Sequence, residues 1–248
     1  MHTKAEQLII NNAIAYARKT KKSFAKLETS KENFASEKDP ITILMAGSPG
    51  AGKTETAQEI LCLIGKAIHI DPDRYREHFE DYTGRNAYLF QGATSILVEK
   101  VVDYALKNRQ SFILDGTLTK YEIARQNILR ALGKERKVII LYVYQDPVVA
   151  WDFVKAREKI EGRRIHLETF VKQYFEARNV VNQLKAEFKS QIQLEILIKN
   201  VASGASKKPM YSYINGATSI DSHIPEQYTC DQLKELITKE YRNDEPSA

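Results

Sequence analysis

Between residues 41 and 200, the hydrophobic and polar positions follow two different periodicities. Short runs of β-branched and aliphatic residues are separated by longer segments whose apolar residues recur at helical spacing. The runs predict five strands: Ile41–Ala46, Ala67–Asp71, Ser111–Asp115, Val138–Tyr144 and Ile192–Ile198. The intervening segments predict helices near residues 53–65, 87–108, 119–132, 147–161 and 166–188. This alternation predicts a three-layer α/β fold, in which helices cover both faces of a five-stranded, mainly parallel sheet.

The two ends of the chain differ from residues 41–200 in their pattern of apolar and polar residues. Apolar side chains at helical spacing within Leu8–Ala17 predict a helical N-terminal lead over residues 1–38. After the predicted domain of residues 39–200, the chain becomes rich in Gly and Ser and then has one more helical stretch, Asp231–Tyr241. We expect residues 201–248 to form an extension that packs on the core or is partly flexible.

The composition and the lengths of the apolar runs limit the classes of protein to which this sequence can belong. The 248 residues are 43% hydrophobic, which suits one globular domain with appendages. The longest apolar run, Val138–Tyr144, is far shorter than the ~18 residues that a membrane span requires. Two cysteines, Cys62 and Cys230, are too few for a disulfide framework, and the polar start has no secretory pattern. We therefore expect a cytoplasmic protein without a membrane partner.

A glycine-rich motif follows the first predicted strand and precedes a predicted helix, which is the context that a P-loop requires. The motif G-x-x-x-x-G-K-[ST] is present as Gly47, Ser48, Pro49, Gly50, Ala51, Gly52, Lys53 and Thr54. Its backbone N–H groups are expected to bind the β-phosphate of a nucleotide. Lys53 is expected to reach the β- and γ-phosphates, and the Thr54 hydroxyl to bind Mg²⁺. The motif predicts a nucleoside triphosphate and Mg²⁺ as ligands, and we take ATP rather than GTP as the nucleotide by default.

A P-loop occurs in several classes of enzyme, and two of them do not fit this sequence. No guanine-reading N-K-x-D tetrapeptide occurs, and the D-x-x-G match of Asp81–Gly84 does not follow a strand. The chain is also short for a motor protein. Kinases of small substrates remain. They require an acid beside the phosphates and an arginine-bearing lid over them.

The acid follows the second predicted strand. Asp71 and Asp73 stand one residue apart there, so one carboxylate could act as the base and the other could order the water ligands of the metal. Asp115, at the end of the third predicted strand, is a second candidate for binding the metal through water. The alternative is that the pair Asp71 and Asp73 caps the next helix.

The lid candidate is the charged segment Lys155–Arg164 after the fourth predicted strand. Arg157 lies on a predicted helix, and Arg163 and Arg164 follow Gly162, which could be a hinge or a helix C-cap. The alternative is a solvated run of charges.

Residues for the acceptor pocket follow from position along the chain. Thr117 comes directly after the third predicted strand. Glu99 interrupts an otherwise apolar stretch of a predicted helix, where a carboxylate requires a partner or a pocket. The alternative is an exposed glutamate. The histidines are scattered along the chain, and we expect no metal cluster of histidines and cysteines.

These residues together resemble the zeta toxin family of P-loop kinases from bacterial toxin–antitoxin systems. The similarity spans roughly residues 40–200. The resemblance implies phosphorylation of the sugar 3′-hydroxyl of UDP-N-acetylglucosamine, and an antitoxin whose helix obstructs the ATP site. It implies Asp73 as general base, with Arg157 and either Arg163 or Arg164 clasping the triphosphate.

The resemblance also implies the residues that contact the acceptor. They are Asp71, Arg76, Glu99, Thr117, Thr119 and Lys120. Many relatives have an arginine at the position of Thr119, with Lys120 beside it in this chain. This departure lies in the acceptor pocket, so it bears on the acceptor more than on the kinase reaction. By the same analogy the N-terminal lead could obstruct the ATP site in cis, or it could simply pack on the core.

The predicted function is therefore an ATP-dependent kinase with a catalytic set of Lys53, Asp73, Arg157 and Arg164. One alternative is a P-loop kinase of another acceptor, such as a nucleoside, a sugar acid or an RNA end. Another is a nucleotide-gated interaction protein without catalysis. The net charge of +5 favours anionic partners, but no basic stripe interleaved with aromatic residues is present, which disfavours nucleic acid.

Overall fold

One six-stranded sheet organises the residues that the computed structural model describes, which are 2–162, 164–200 and 210–243. Its strands are β1 (Ile41–Ala46), β2 (Ile68–Ile70), β3 (Phe112–Leu114), β4 (Lys137–Gln145), β5 (Gln193–Asn200) and β6 (Met210–Ile214). They lie in the order β2-β3-β1-β4-β5-β6. The first five are parallel and β6 is antiparallel to β5. The mainly parallel α/β fold is confirmed.

The structure adds one strand to the five that the sequence predicts. β6 pairs with β5 so that Tyr213 lies opposite Leu197 and Tyr211 lies opposite Lys199. β6 is a short edge strand that is stabilised by pairing with β5.

Within the described residues the chain forms eight α-helices. They are α1 (Lys4–Glu28), α2 (Lys53–Ile64), α3 (Pro72–Arg76), α4 (Gln91–Lys107), α5 (Tyr121–Leu132), α6 (Pro147–Glu161), α7 (Leu167–Phe188) and α8 (Cys230–Asn243). Single 3₁₀ segments precede α4 at Ala87–Phe90 and follow α7 at Lys189–Gln191. None of the helices in this part of the chain combines the length and hydropathy needed to cross a bilayer.

Helices cover both faces of the sheet. Ile43 and Met45 of β1 pack with Ala57 of α2 on one face. Leu44 and Ala46, the alternate residues of β1, belong to a larger cluster with apolar residues of α4, α5 and α7 on the other face. Because side chains alternate along a strand, a sheet with both faces covered requires the continuous apolar runs that the sequence shows.

The N-terminal lead is a single helix, α1, that packs on α4. Thr3 and Glu6 form a reciprocal capping box at its start. The helix buries small residues, Ala13, Ala17 and Ala25, which allow a close approach to its neighbours. Near its end, the ring of Phe24 lies 4.8 Å from the ring of Tyr75, in an edge-on contact with α3.

The C-terminal part also contacts the core. Leu233 and Ile237 of α8 belong to a cluster with Trp151 of α6 and Phe170 of α7. Arg178 of α7, which is buried, donates from Nε to Asp221 Oδ1 at 2.7 Å. These contacts attach the segment between β6 and α8 to the domain.

The interface between α1 and the core leads to a stability prediction. Ala17 is fully buried, whereas Ala15, two residues earlier in the same helix, is exposed. Ala17→Leu should lower the free energy of unfolding by about 1–3 kcal/mol, because the added side chain has no space. Ala15→Leu should change it by less than about 0.5 kcal/mol. Urea denaturation measures both, and equal effects would show that α1 does not pack tightly on α4.

Candidate active site at the carboxyl ends of the strands

The turn between β1 and α2 is built for close approach of backbone to backbone. Gly47 has a φ of 135° and Gly50 a φ of 74°. A Cβ atom at Gly47 would lie 2.3 Å from the carbonyl oxygen of Val143, and one at Gly50 would lie 2.0 Å from that of Ala150. Gly52, the N-cap of α2, offers no side-chain cap to the first N–H groups of that helix. Such a helix start favours an anion.

Two lysines brace this turn. Lys53 is buried, and its Nζ donates to the carbonyl oxygen of Ser48 at 2.7 Å. From the end of β5, Lys199 Nζ donates to the carbonyl oxygen of Gly52 at 2.8 Å. Burial lowers the pKa of Lys199. The sequence analysis missed Lys199, because only the sheet order brings the end of β5 next to the P-loop.

Thr54 connects the P-loop helix to the third strand in the chain. Its hydroxyl donates to Asp115 Oδ2 at 2.8 Å, and Asp115 is buried. The backbone N–H of Asp115 donates to the carbonyl oxygen of Ile70 at 2.9 Å, which continues the pairing of β3 with β2. Thr54 and Asp115, two of the three residues predicted to bind the metal, are therefore in direct contact.

Asp71 and Asp73 have different surroundings. Asp71 is the N-cap of α3, and its Oδ1 accepts from the backbone N–H of Asp73 at 2.8 Å. Burial raises the pKa of Asp71, and the nearby charge of Asp73 adds to the increase. The carboxylate of Asp73 forms an ion pair with Arg76. The predicted helix-capping role belongs to Asp71, and it does not involve the side chain of Asp73.

The lid candidate lies against Asp73 through one of its arginines. Arg157 Nη2 is 3.9 Å from Asp73 Oδ2, and Arg157 Nε donates to Glu161 Oε2 at 2.7 Å. Burial lowers the pKa of Arg157, but the interactions with Glu161 and Asp73 outweigh this effect and raise it. Gly162 is the C-cap of α6, with a φ of 72°.

A second arginine of the lid candidate contacts a different carboxylate. Arg164 is exposed, and its Nε is 3.7 Å from Glu158 Oε1. Arg163 lies outside the described residues.

Residues of the predicted acceptor pocket follow β3. The hydroxyl oxygens of Thr117 and Thr119 are 3.4 Å apart, and the carbonyl oxygen of Thr117 accepts from the N–H of Gly47 at 3.4 Å. Between the two threonines, Leu118 has a φ of 55°, a conformation that costs about 1–3 kcal/mol for a residue other than glycine. Lys120, the N-cap of α5, is exposed. The backbone of Thr117 is therefore held beside the P-loop.

α4 carries Glu99, another residue of the predicted acceptor pocket. This glutamate is exposed halfway along α4, whereas Leu97 and Val101 of the same helix are buried. Its neighbour Lys100 forms an ion pair with Asp103 at 3.0 Å. Within the described residues, Glu99 therefore lies on the solvent side of α4. An exposed glutamate is the alternative that the sequence left open.

One further polar residue lies at the carboxyl end of the sheet, and no sequence motif marks it. His69 of β2 lies with Asp71 and Asp115, and the metal-ligating atoms of the three side chains are all within 4.8 Å of one another. The histidine is grouped with carboxylates rather than with other histidines or cysteines. A polar residue between the buried Ile68 and Ile70 was the available signal, because successive residues of a strand face opposite sides of the sheet and His69 therefore lies on the other face from the two isoleucines.

Solved structures show that the fold is shared. A structure from the PezAT chromosomal toxin–antitoxin system of Streptococcus pneumoniae is 15% identical over 99% of this chain and 98% of that chain, with a TM-score of 0.62. A structure of the AvrRxo1-ORF1–ORF2 complex with ATP is 14% identical over 94% of this chain and 73% of that chain, with a TM-score of 0.54. Among curated protein sequences, none matches this one.

A family model is the finding that extends beyond the fold. The zeta toxin model matches residues 25–206, which include the P-loop, both aspartates after β2, Asp115 and the lid. The match covers more than half of the chain and confirms the resemblance that its motifs predict. The chain therefore belongs to the zeta toxin family.

Proposed function

We propose that this protein is an ATP-dependent kinase that transfers the γ-phosphate to a hydroxyl group of a small molecule. The proposal depends on the position of Asp73, whose carboxylate lies 3.9 Å from the lid residue Arg157. This pair lies at the carboxyl ends of the strands, where the P-loop leads into α2. A base for the acceptor and a cation for the transferred phosphate are thus adjacent. Membership of the zeta toxin family supports the same reaction.

The residues of the P-loop suit a triphosphate and its metal ion. Backbone N–H groups at the start of α2 bind the β-phosphate, and Lys53 exchanges its contact with the Ser48 carbonyl for the γ-phosphate. The Thr54 hydroxyl and the buried Asp115 carboxylate, 2.8 Å apart, form an all-oxygen donor set of the kind that Mg²⁺ prefers. When bound, Mg²⁺ neutralises charge on the β- and γ-phosphates.

Asp73 acts as the general base. Its ion pair with Arg76 and the nearby guanidinium of Arg157 favour the charged carboxylate, which accepts the proton of the acceptor hydroxyl. As the proton leaves, the hydroxyl oxygen attacks the γ-phosphorus in line with the leaving ADP oxygen. Lys53 and the lid arginines Arg157, Arg163 and Arg164 stabilise the charge on the transferred group.

On the basis of the family, we propose UDP-N-acetylglucosamine as the acceptor, phosphorylated at the sugar 3′-hydroxyl. Thr117, Thr119, Lys120, Asp71 and Arg76 provide donors and acceptors for a sugar nucleotide. Glu99 contacts the acceptor from α4. An antitoxin is the partner protein that the family implies, and the PezAT structure comes from a toxin–antitoxin system.

Nucleotide binding is tested by thermal melting. At an ATP concentration of ~100 times the Kd, the folded state gains ~2.7 kcal/mol, so the melting temperature should rise by about 5–10 °C. Lys53→Ala should remove most of this rise, because it deletes the phosphate contact. Lys66→Ala changes an exposed lysine just beyond α2 and should leave the rise intact. A rise that Lys53→Ala does not diminish would contradict the proposed ATP site.

Transfer is tested with γ-labelled ATP and a panel of acceptors: UDP-N-acetylglucosamine, nucleosides, sugar acids and RNA ends. Asp73→Asn should lower kcat at least ~100-fold, because positioned base catalysis contributes ~10²–10⁴-fold. Its ATP-dependent melting shift should persist. Asp81→Asn, in an exposed turn, should keep full activity. Near-normal turnover of Asp73→Asn would exclude Asp73 as the base, and no labelled product from any acceptor would favour a nucleotide-gated binding protein.

A further inference from the structure

His69, Asp71 and Asp115 form a cluster that the proposed kinase reaction does not fully use. β2 and β3 are adjacent parallel strands, so the side chains at their ends meet. One ligand atom from each residue lies within 4.8 Å of the other two. The set contains one imidazole and two carboxylates, whereas a Mg²⁺ site normally contains oxygen ligands alone.

The imidazole of His69 has the geometry of a metal ligand. Its Nε2 atom is buried and has no hydrogen-bond partner. The distance from Nε2 to Asp115 Oδ2 is 3.6 Å, which is longer than a hydrogen bond. Two ligands bound about 2.1 Å from one tetrahedral ion lie about 3.4 Å apart, which is close to this separation.

The neighbours of His69 within the sheet are apolar. The residues on either side of it in β2, Ile68 and Ile70, are buried apolar residues, and its register partner in β3 is Ile113. A β-branched apolar residue would suit the strand better than a histidine with a buried, unpartnered nitrogen. A ligand for that nitrogen removes the disadvantage.

We propose that His69, Asp71 and Asp115 bind a divalent first-row transition-metal ion, of the type of Mn²⁺ or Zn²⁺, in the absence of nucleotide. The nitrogen ligand favours such ions over Mg²⁺, and the two carboxylates supply the compensating charge. The inference deepens the proposed function and rests on it in part, because Asp115 also accepts from the Thr54 hydroxyl. A nucleotide-independent ion would hold Asp115 in place before ATP arrives.

Mn²⁺ alone is the probe. The nucleotide-free chain is titrated with Mn²⁺ and free ion is measured by electron paramagnetic resonance. The wild-type chain should bind one Mn²⁺, and His69→Val should weaken that binding at least ~10-fold. His223→Val replaces an exposed histidine far along the chain and should bind as the wild type does. Binding that His69→Val leaves unchanged, or no binding by the wild type, would overturn the proposal.

A second measurement does not depend on any variant. Electron spin-echo modulation of the Mn²⁺-loaded wild type should show coupling to a directly bound ¹⁴N nucleus, and a spectrum without that coupling would also refute His69 as a ligand. The ATP-dependent melting shift in Mg²⁺, measured on the same preparations, reports on the kinase site separately. Absence of Mn²⁺ binding by the wild-type chain together with an intact ATP shift would therefore count against the metal site alone, not against the kinase.

Discussion

Parallel pairing of β1 between β3 and β4 is the constraint on which the whole site depends. Parallel strands end at the same edge of a sheet, so the segments that follow them must meet there. The P-loop follows β1, the aspartates follow β2, and Asp115 follows β3. The hydrogen bond from Thr54 to Asp115 is the direct consequence, because it joins residues 61 positions apart in the chain. No single segment carries the site, and the sheet assembles it.

Charge at this edge is arranged in compensated pairs rather than as one basic surface. Asp73 lies between Arg76 and Arg157, Arg157 also contacts Glu161, and Arg164 lies near Glu158. Each arginine that could bind phosphate thus already has a carboxylate partner in the described residues. A triphosphate would compete with those carboxylates for the guanidinium groups, and such exchange of partners is a physical route by which a lid responds to its ligand.

Local patterns predicted most of the fold and part of the site. The P-loop was predictable because Gly47 and Gly50 cannot be replaced by residues with a Cβ atom, which would lie 2.0–2.3 Å from a neighbouring carbonyl oxygen. This requirement for glycine appears in the sequence as a motif. Asp73 and Arg157 were predictable from their places after strands. β6 was not, because its five residues form a strand only by pairing with β5. Lys199 was not, because its hydrogen-bond partner Gly52 lies 147 positions away in the chain. Glu99 was expected on an apolar face and is exposed.

The sequence by itself determined the order along the chain of the first five strands and the long helices between them, the phosphate-binding turn and the family. Each of these is encoded in residues close together along the chain. Only the tertiary structure decided which side chains share a space. It grouped His69 with Asp71 and Asp115, assigned the helix cap to Asp71, and directed Lys199 to the P-loop. The physical reason is that strand order and register fix these neighbours, and both depend on pairing between segments that are remote in sequence.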